Sequence, residues 1–364
     1  MHTSVANLQR DLLAFIAQDG CTDGEFNAMA LQLFAHQFKN NLPFQRFCMQ
    51  RGKTLRNVKN WTDIPAVPID GFKDLSLSCT PIQECERVFM TSGTTRADVK
   101  GRHHHPTLEV WDASMRRGFS QFFMRGSINI RMAVLFPDET IMANSSLAHY
   151  LAMAVREFGA PGSGYFLDAN GLQIQSLAQT LTQAVATGEP MAILGASYSF
   201  VHLMDALQVQ NLSFKLPAGS RLFDTGGFKG QSRELAMDDF YDQLANTFGV
   251  ARKDCINMYG MTELSSQFYD DGNQSLPSVK RGPHWIRSQL VDPVTGNAVA
   301  SGERGILAHC DLANYNSVTS ILTEDVGQTP PQANGGFFLH GRAQGAQAKG
   351  CSLAIDEFLR AAKT

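Results

Sequence analysis

Apolar residues recur at helical spacing in the first part of the chain. Leu8, Leu12, Phe15 and Ile16 fall on one face of a helix. A second helix is predicted over residues 25–38, breaking at Asn40 and Asn41 with Pro43 just beyond. Pro65 and Pro68 mark an extended connection. Residues 1–80 therefore read as a helical N-terminal segment packed on a larger body. From Arg87 short apolar runs alternate with helical ones. Arg87–Met90 reads as a strand entering a polar loop, and Thr107 is placed to cap a helix running through Trp111 and Met115 to Phe122. Residues 132–136, 192–195 and 221–224 read as buried strands, Ser146–Phe158 and 200–204 as helices. This alternation predicts an α/β layer structure over residues 81–270. After Asp270, Pro and Gly become frequent and the runs shorter, which predicts a smaller β-rich subdomain over 271–342 and a short tail over 343–364.

Composition narrows the class. Hydrophobic residues make up 43% and charged residues 18% of 364, a globular composition able to bury a core without disulfides. Lys plus Arg is 31 against 34 Asp plus Glu. That balance excludes a generally basic nucleic-acid binder and leaves only the stretch from Lys100 to Arg102. The cysteines, Cys21, Cys48, Cys79, Cys85, Cys255, Cys310 and Cys351, contain no CxxC pair. They indicate neither a disulfide framework nor a zinc ribbon and fit a reducing cytoplasm. The N-terminus lacks a basic segment followed by an apolar one, and the uncharged stretch 140–155 is too short and polar to span a bilayer. A cytoplasmic protein with no membrane span is expected.

Candidate chemistry sits in loops. Thr91-Ser92-Gly93-Thr94-Thr95 leaves a predicted strand, with Lys100 close behind. Hydroxyls and glycine-loop amides donate to phosphate oxygens, and Lys supplies charge. The GxxxxGK[ST] spacing is absent, and a polar surface turn is an equal reading. Asp224-Thr225-Gly226-Gly227-Phe228-Lys229-Gly230 ends a strand with glycines that admit a flat ligand or simply serve packing. In Tyr259-Gly260-Met261-Thr262-Glu263 the ring can stack on a base, Thr262 can bind phosphate, and Glu263 can hold magnesium or be a solvated carboxylate. Thr323-Glu324-Asp325 and Gly341-Arg342 offer a carboxylate and a guanidinium for ribose hydroxyls. His103, His104 and His105 read as a polar loop rather than a metal site. Cys351 follows Lys349-Gly350. A neighbouring Lys favours the thiolate, although most single cysteines are inert core residues.

Taken in this order, these segments resemble the adenylate-forming superfamily of acyl and aryl ligases. Thr91-Ser92-Gly93-Thr94-Thr95 with Lys100 resembles its phosphate loop, and Gly226-Gly227 its adenine-side turn. Tyr259-Gly260-Met261-Thr262-Glu263 resembles its YGxTE motif, and Asp325 with Gly341-Arg342 its ribose acid and hinge-side Gly-Arg. The segments Leu194-Gly195-Ala196, Thr225 to Gly230, Asn257 to Glu263 and Lys349-Gly350-Cys351-Ser352-Leu353 further resemble the acyl-protein synthetases of bacterial bioluminescence fatty-acid reductase complexes. Arg96 stands where Gly usually follows the second Thr, and Ala97-Asp98-Val99 replaces the usual small-Pro segment.

The resemblance implies an α/β fold of the large N-terminal ligase domain, with a β-rich subdomain and without the usual C-terminal lid. It implies ATP and Mg as cofactors and a fatty carboxylate as substrate. In its terms Thr91 to Thr95 and Lys100 hold the β- and γ-phosphates, Thr262 the α-phosphate and Glu263 the magnesium. Gly226, Gly227 and Tyr259 bracket adenine, and Asp325 and Arg342 hold ribose. Cys351 carries the acyl group as a thioester for an acceptor such as a fatty-acid reductase. Lys349 would assist the thiolate, and Leu353, Phe358 and Leu359 would pack the tail over the nucleotide site. A ligase passing its acyl group to coenzyme A, a carrier protein or an amine would make Cys351 dispensable. An inactive scaffold would bind nucleotide without releasing pyrophosphate.

Overall fold

The face formed by Leu8, Leu12, Phe15 and Ile16 is the buried face of the first helix, Val5–Ile16, in the computed structural model, which describes residues 5–91, 99–228, 230–331 and 335–363. The second helix, Asp23–Asn40, starts at a reciprocal cap: Thr22 accepts from the Glu25 N–H while the Glu25 carboxylate accepts from the Thr22 N–H. It stops at Asn41 as predicted, but the chain turns straight into a further helix, Leu42–Gln50. There the Asn41 side chain caps Phe44 N and Pro43 occupies the first turn, where its missing N–H costs nothing.

Two compact units organise the chain. One is Met1–Arg117, Met261–Gln267 and Arg281–Thr364; the other is Gly118–Gly260 and Phe268–Lys280. These cuts differ from the expected spans because Arg87–Met90 pairs antiparallel with Arg102–His105 and stays with the N-terminal helices.

In the first unit, Ile286–Val291, Arg304–Asp311, Ser320–Gln328 and Phe337–Arg342 form an antiparallel sheet in that order. This is the β-rich region predicted after Asp270. Val67–Pro68 adds in parallel at Val67↔Ile321. The N-terminal helices dock here through buried amides. Gln37 Nε2 donates to Asn314 O at 2.9 Å, Gln37 Oε1 accepts from Thr319 N, and Asn41 Nδ2 donates to Ser317 O.

In the second unit, the sheet runs Phe268–Tyr269, Cys255–Tyr259, Arg221–Thr225, Met191–Ala196, Arg131–Leu135, Gly164–Tyr165. Pairing is parallel except at the Phe268–Tyr269 edge. The helices Ser146–Phe158 and Ser197–Val209 cover the regions predicted to be helical, while Ile174–Thr187 and Met237–Phe248 were not predicted, although Leu177, Leu181 and Ala184, and Phe240, Leu244 and Phe248, fall at helical spacing and are buried. Leu181, Phe200, Leu203, Phe240 and Leu244 pack with Ile193, Leu222 and Cys255 to form the core. Because the strands are parallel, Ala196, Thr225 and Tyr259 end at one edge, where ligands bind in such sheets.

The tail is a helix, Gly345–Lys363, rather than a loose arm. Phe358 is fully buried, edge-on to Phe47 at 5.0 Å, and Arg51 makes a two-pronged pair with Glu357 at 2.9 and 2.6 Å. Leu353, expected to pack, is 49% exposed. Gly71 makes room for the Phe358 ring, since a Cβ there would fall 2.6 Å from Phe358 Cε1. Among the described residues no helix is long and apolar enough to cross a membrane. Phe358→Ala should cost about 3–5 kcal/mol, the usual range for a large buried aromatic. It should lower the urea midpoint while leaving the slope unchanged.

Candidate active site

Thr91 and Gly101 close the base of the loop that bears the expected phosphate contacts. Thr91 N donates to Gly101 O at 3.0 Å, and Gly101 N donates to Thr91 Oγ1 at 2.9 Å. Ser92, Gly93, Thr94 and Thr95 lie outside the described residues. Lys100 is exposed. Glu263 comes close here: a Cβ on Gly101 would lie 3.2 Å from Glu263 Oε1 and 3.1 Å from Thr91 Cγ2, so a side chain there would crowd this approach. Glu263 is buried, and burial pushes its carboxyl up to about 7, opposed by its own backbone N–H and by the positive charges of Lys73 and Arg342.

The segment Met261–Gln267 is held by side chains that the sequence reading did not single out for that task. The Thr262 carbonyl accepts from His103 Nδ1 at 3.0 Å, and His103 Nε2 accepts from Ser317 Oγ at 3.1 Å. The carbonyl can only accept, so the imidazole carries its proton on Nδ1. Burial holds its pKa down at about 4 and keeps it neutral. Asn314 Nδ2 donates to Glu263 O at 2.8 Å. Asp311, wholly buried, accepts from Ser265 N, Ser266 N, Ser266 Oγ and Ala313 N. The three histidines are therefore not a polar loop. They form a buried strand because Arg102–His105 pairs with Arg87–Met90 and sets His103 edge-on to Phe72 and His105 edge-on to Phe89. The available signal was the placement of Asp311, Asn314 and Asn316 directly after the apolar run that ends at Cys310.

A second group gathers on the strand Ser320–Gln328. Asp325 and Arg342 are register partners, with Arg342 Nε 3.9 Å from Asp325 Oδ1, and Arg342 Nη1 donates to Glu324 Oε2 at 2.5 Å. Cys351 packs against Leu322 and Val326 of this strand and is 8% exposed. Its thiol is pushed up to about 11, first by burial and then by Glu324, Asp325 and Asp70. Lys349 does not offset this. Positions two apart on a helix face opposite ways, and Lys349 is exposed while Cys351 is buried. Asp70 pairs with Lys73 at 2.6 Å, and both charges act on Glu263 and on Glu324.

In the other unit, Thr225 Oγ1 donates to Met258 O at 2.9 Å, tying the strand end before Gly226 and Gly227 to the one before Tyr259. Gly226 takes φ +75°, and a Cβ on Gly227 would meet nothing within 4 Å. Beneath these turns Asp224 is buried, accepting from Asn257 Nδ2, Ser197 Oγ and Tyr241 OH, with its carboxyl raised to about 6 by burial. Lys280 is paired with Asp270 at 2.7 Å in the same buried network and also donates to Asn257. Phe200 and Met204, in the segment read as a helix, belong to the core of this sheet.

The arrangement has relatives. The chain matches the family described as acyl-protein synthetase, LuxE, over residues 16–360. It belongs to the LuxE acyl-protein synthetase family. It is 22% identical over 297 residues to the long-chain-fatty-acid–luciferin-component ligase of Vibrio harveyi, covering 81% of this chain and 76% of that one. The protein of the same name from Aliivibrio fischeri is 22% identical over 298 residues, covering 81% and 77%. Among solved structures, the fold is similar to 2-hydroxyisobutyryl-CoA ligase in complex with 2-HIB-AMP and CoA. That likeness has TM-score 0.63 and 15% identity and covers 93% of this chain and 75% of that one. It is also similar to ATP-bound MatB from Rhodopseudomonas palustris, with TM-score 0.53 and 15% identity, covering 72% of this chain and 49% of that one. The α/β fold is thus that of the adenylate-forming ligases, as the sequence motifs implied.

The raised carboxyls carry a pH signature. Glu263, Asp224 and Asp311 hold protons in the folded LuxE-family chain at pH values where the unfolded chain has released them. Ligand-free stability should therefore fall as pH rises from the ordinary carboxylate range towards about 7. Glu263→Gln should flatten that fall, as read from urea midpoints across pH.

Proposed function

We propose that this chain uses ATP and magnesium to convert a long-chain fatty acid to acyl-AMP. It then moves the acyl group to Cys351 as a thioester, from which a reductase or another acceptor protein takes it. The observation that carries the reading is the gathering, in one unit of a LuxE-family chain, of Glu263 beside Thr91 and Gly101, and of Cys351, on the C-terminal helix, packed with Leu322 and Val326 of the strand that bears Asp325. The names of the Vibrio harveyi and Aliivibrio fischeri relatives support a long-chain substrate.

A carboxylate is a poor acyl donor because oxide is a poor leaving group. Attack of its oxygen on the α-phosphorus of ATP expels pyrophosphate and leaves AMP as the leaving group for the next step. Such a reaction asks the protein for positioned charge rather than covalent help. Thr91 to Thr95 and Lys100 take the β- and γ-phosphates, and Thr262 the α-phosphate. Gly226, Gly227 and Tyr259 take adenine, and Asp325 and Arg342 take ribose. His103 and Asn314 hold the Thr262 and Glu263 carbonyls, and Asp311 the Ser265 and Ser266 N–H groups that follow, before substrate arrives.

Glu263 suits magnesium, which takes one or two protein carboxylates and keeps phosphate oxygens and waters. When bound, magnesium neutralises phosphate charge.

One observation favours a second reading. The Cys351 thiol is buried and held protonated, which favours an acceptor other than this cysteine: coenzyme A, a carrier protein or an amine. Intact-protein mass after incubation with ATP, magnesium and tetradecanoate separates the two. The proposal expects a tetradecanoyl adduct on the wild type, removed by hydroxylamine and absent from Cys351→Ala. Undiminished AMP release by Cys351→Ala with an added thiol or amine acceptor would favour the second reading.

A further inference from the structure

We propose that Glu324 is the base that takes the Cys351 thiol proton as the acyl group passes from AMP to sulfur. The inference deepens the transfer reading above and rests on it.

Cys351 lies in an apolar cluster with Leu322, Val326 and Ala354, and Ala343 packs on the same cluster. Glu324 stands midway between Leu322 and Val326 on the strand Ser320–Gln328, and its carbonyl accepts from Ala343 N at 2.8 Å. The strand bulges here, with Leu322 and Val326 opposite Ala308 and Ile306 and only Leu307 between, so Glu324 stands on a bulge flanked on both sides by members of the thiol's cluster. The Glu324 side chain is 31% exposed and pairs with Arg342, which is itself 57% exposed and whose charge opposes the upward effect of burial on the carboxyl.

A base is needed because burial and the nearby carboxylates disfavour the thiolate and outweigh the thiol's own backbone N–H, which favours it. The sulfur sits in apolar packing, Lys349 is on the opposite helix face, and the charges acting on it are the carboxylates Glu324, Asp325 and Asp70. Glu324 is the strongest of these. The groups acting on Glu324 itself are Asp70, Arg342, Lys73 and Asp325, and burial makes its carboxylate more basic than usual. A more basic carboxylate is the better proton acceptor near neutrality.

In the step, the Cys351 sulfur lone pair forms the bond to the acyl carbonyl carbon. The S–H proton passes to the Glu324 carboxylate, and the bond from acyl carbon to phosphate oxygen breaks with its electron pair leaving on AMP. Glu324 then returns the proton to solvent. No oxidant or further reactant is required.

The test bypasses adenylation. Chemically prepared tetradecanoyl-AMP is mixed with wild type, Glu324→Gln and Glu324→Asp, and the adduct on Cys351 is timed by intact-protein mass across a pH series. Glu324→Gln should transfer about 10²-fold more slowly, the lower end of what a positioned base supplies. Its rate should climb with pH as the thiolate fraction grows, whereas the wild-type rate levels off once Glu324 is ionised. Glu324→Asp should keep part of the rate and the wild-type profile, and it carries the test if the Gln variant does not reach the wild-type urea midpoint. Equal rates in wild type and Glu324→Gln, or a slowing by one factor at every pH, would overturn the role. Absence of any adduct on the wild type would overturn the Cys351 reading itself, and the Glu324 role with it.

Discussion

A wholly buried carboxylate fastens the segment that carries Glu263. Asp311 is fully buried, and its oxygens accept from two successive backbone N–H groups, Ser265 and Ser266, from the Ser266 hydroxyl and from Ala313 N. A buried charge is tolerable only when its lone pairs are taken, and buried N–H groups only when they have acceptors. Asp311 satisfies both needs at once. Trp285 Nε1 donates to Ser266 and Ser114, extending the same buried network. With His103 on the Thr262 carbonyl and Asn314 on the Glu263 carbonyl, successive peptide units of this segment are each held by a side chain. The segment is a short excursion of the chain into its unit, from Met261 to Gln267, so it brings little packing of its own and relies on these bonds.

That fastening holds Glu263 in a buried place suited to its proposed role. A carboxyl raised towards neutrality costs little folding energy while protonated and becomes a strong oxygen ligand once a cation arrives. Lys73 and Arg342 oppose the effect of burial without cancelling it. The same charges act on Glu324, which burial also makes more basic, beside a thiol that burial keeps protonated. Glu263, Glu324 and Cys351 thus share one electrostatic neighbourhood in a single unit. In the proposed reading, proton release from Glu263 would serve the first half-reaction and proton uptake by Glu324 the second.

Local patterns made much of this legible. The helix at Ser146–Phe158 and the strand ends before Gly226 and Gly260 were readable because apolar runs of the right length stop at glycine or small polar residues. Motifs such as Tyr259-Gly260-Met261-Thr262-Glu263 were readable because their spacing is local. What holds them was not. Asp311, Asn314 and His103 act on residues some 45 to 159 positions away, and a buried polar residue looks like a surface one until its partner is known. The histidine run misled for that reason. Lys349 misled because closeness in sequence was taken for closeness in space, which helical geometry reverses at a spacing of two.

The central claim is that this LuxE-family chain makes an acyl-adenylate with Glu263 at the phosphates. Fatty-acid-dependent exchange of labelled pyrophosphate into ATP tests it most directly, because exchange requires reversible adenylation and no acyl acceptor. The account predicts exchange by the wild type that depends on both tetradecanoate and magnesium, and a loss of about 10²-fold or more in a folded Glu263→Gln variant, the scale on which one charge-stabilising group contributes. No exchange by the wild type, or equal exchange by the two proteins, would contradict it.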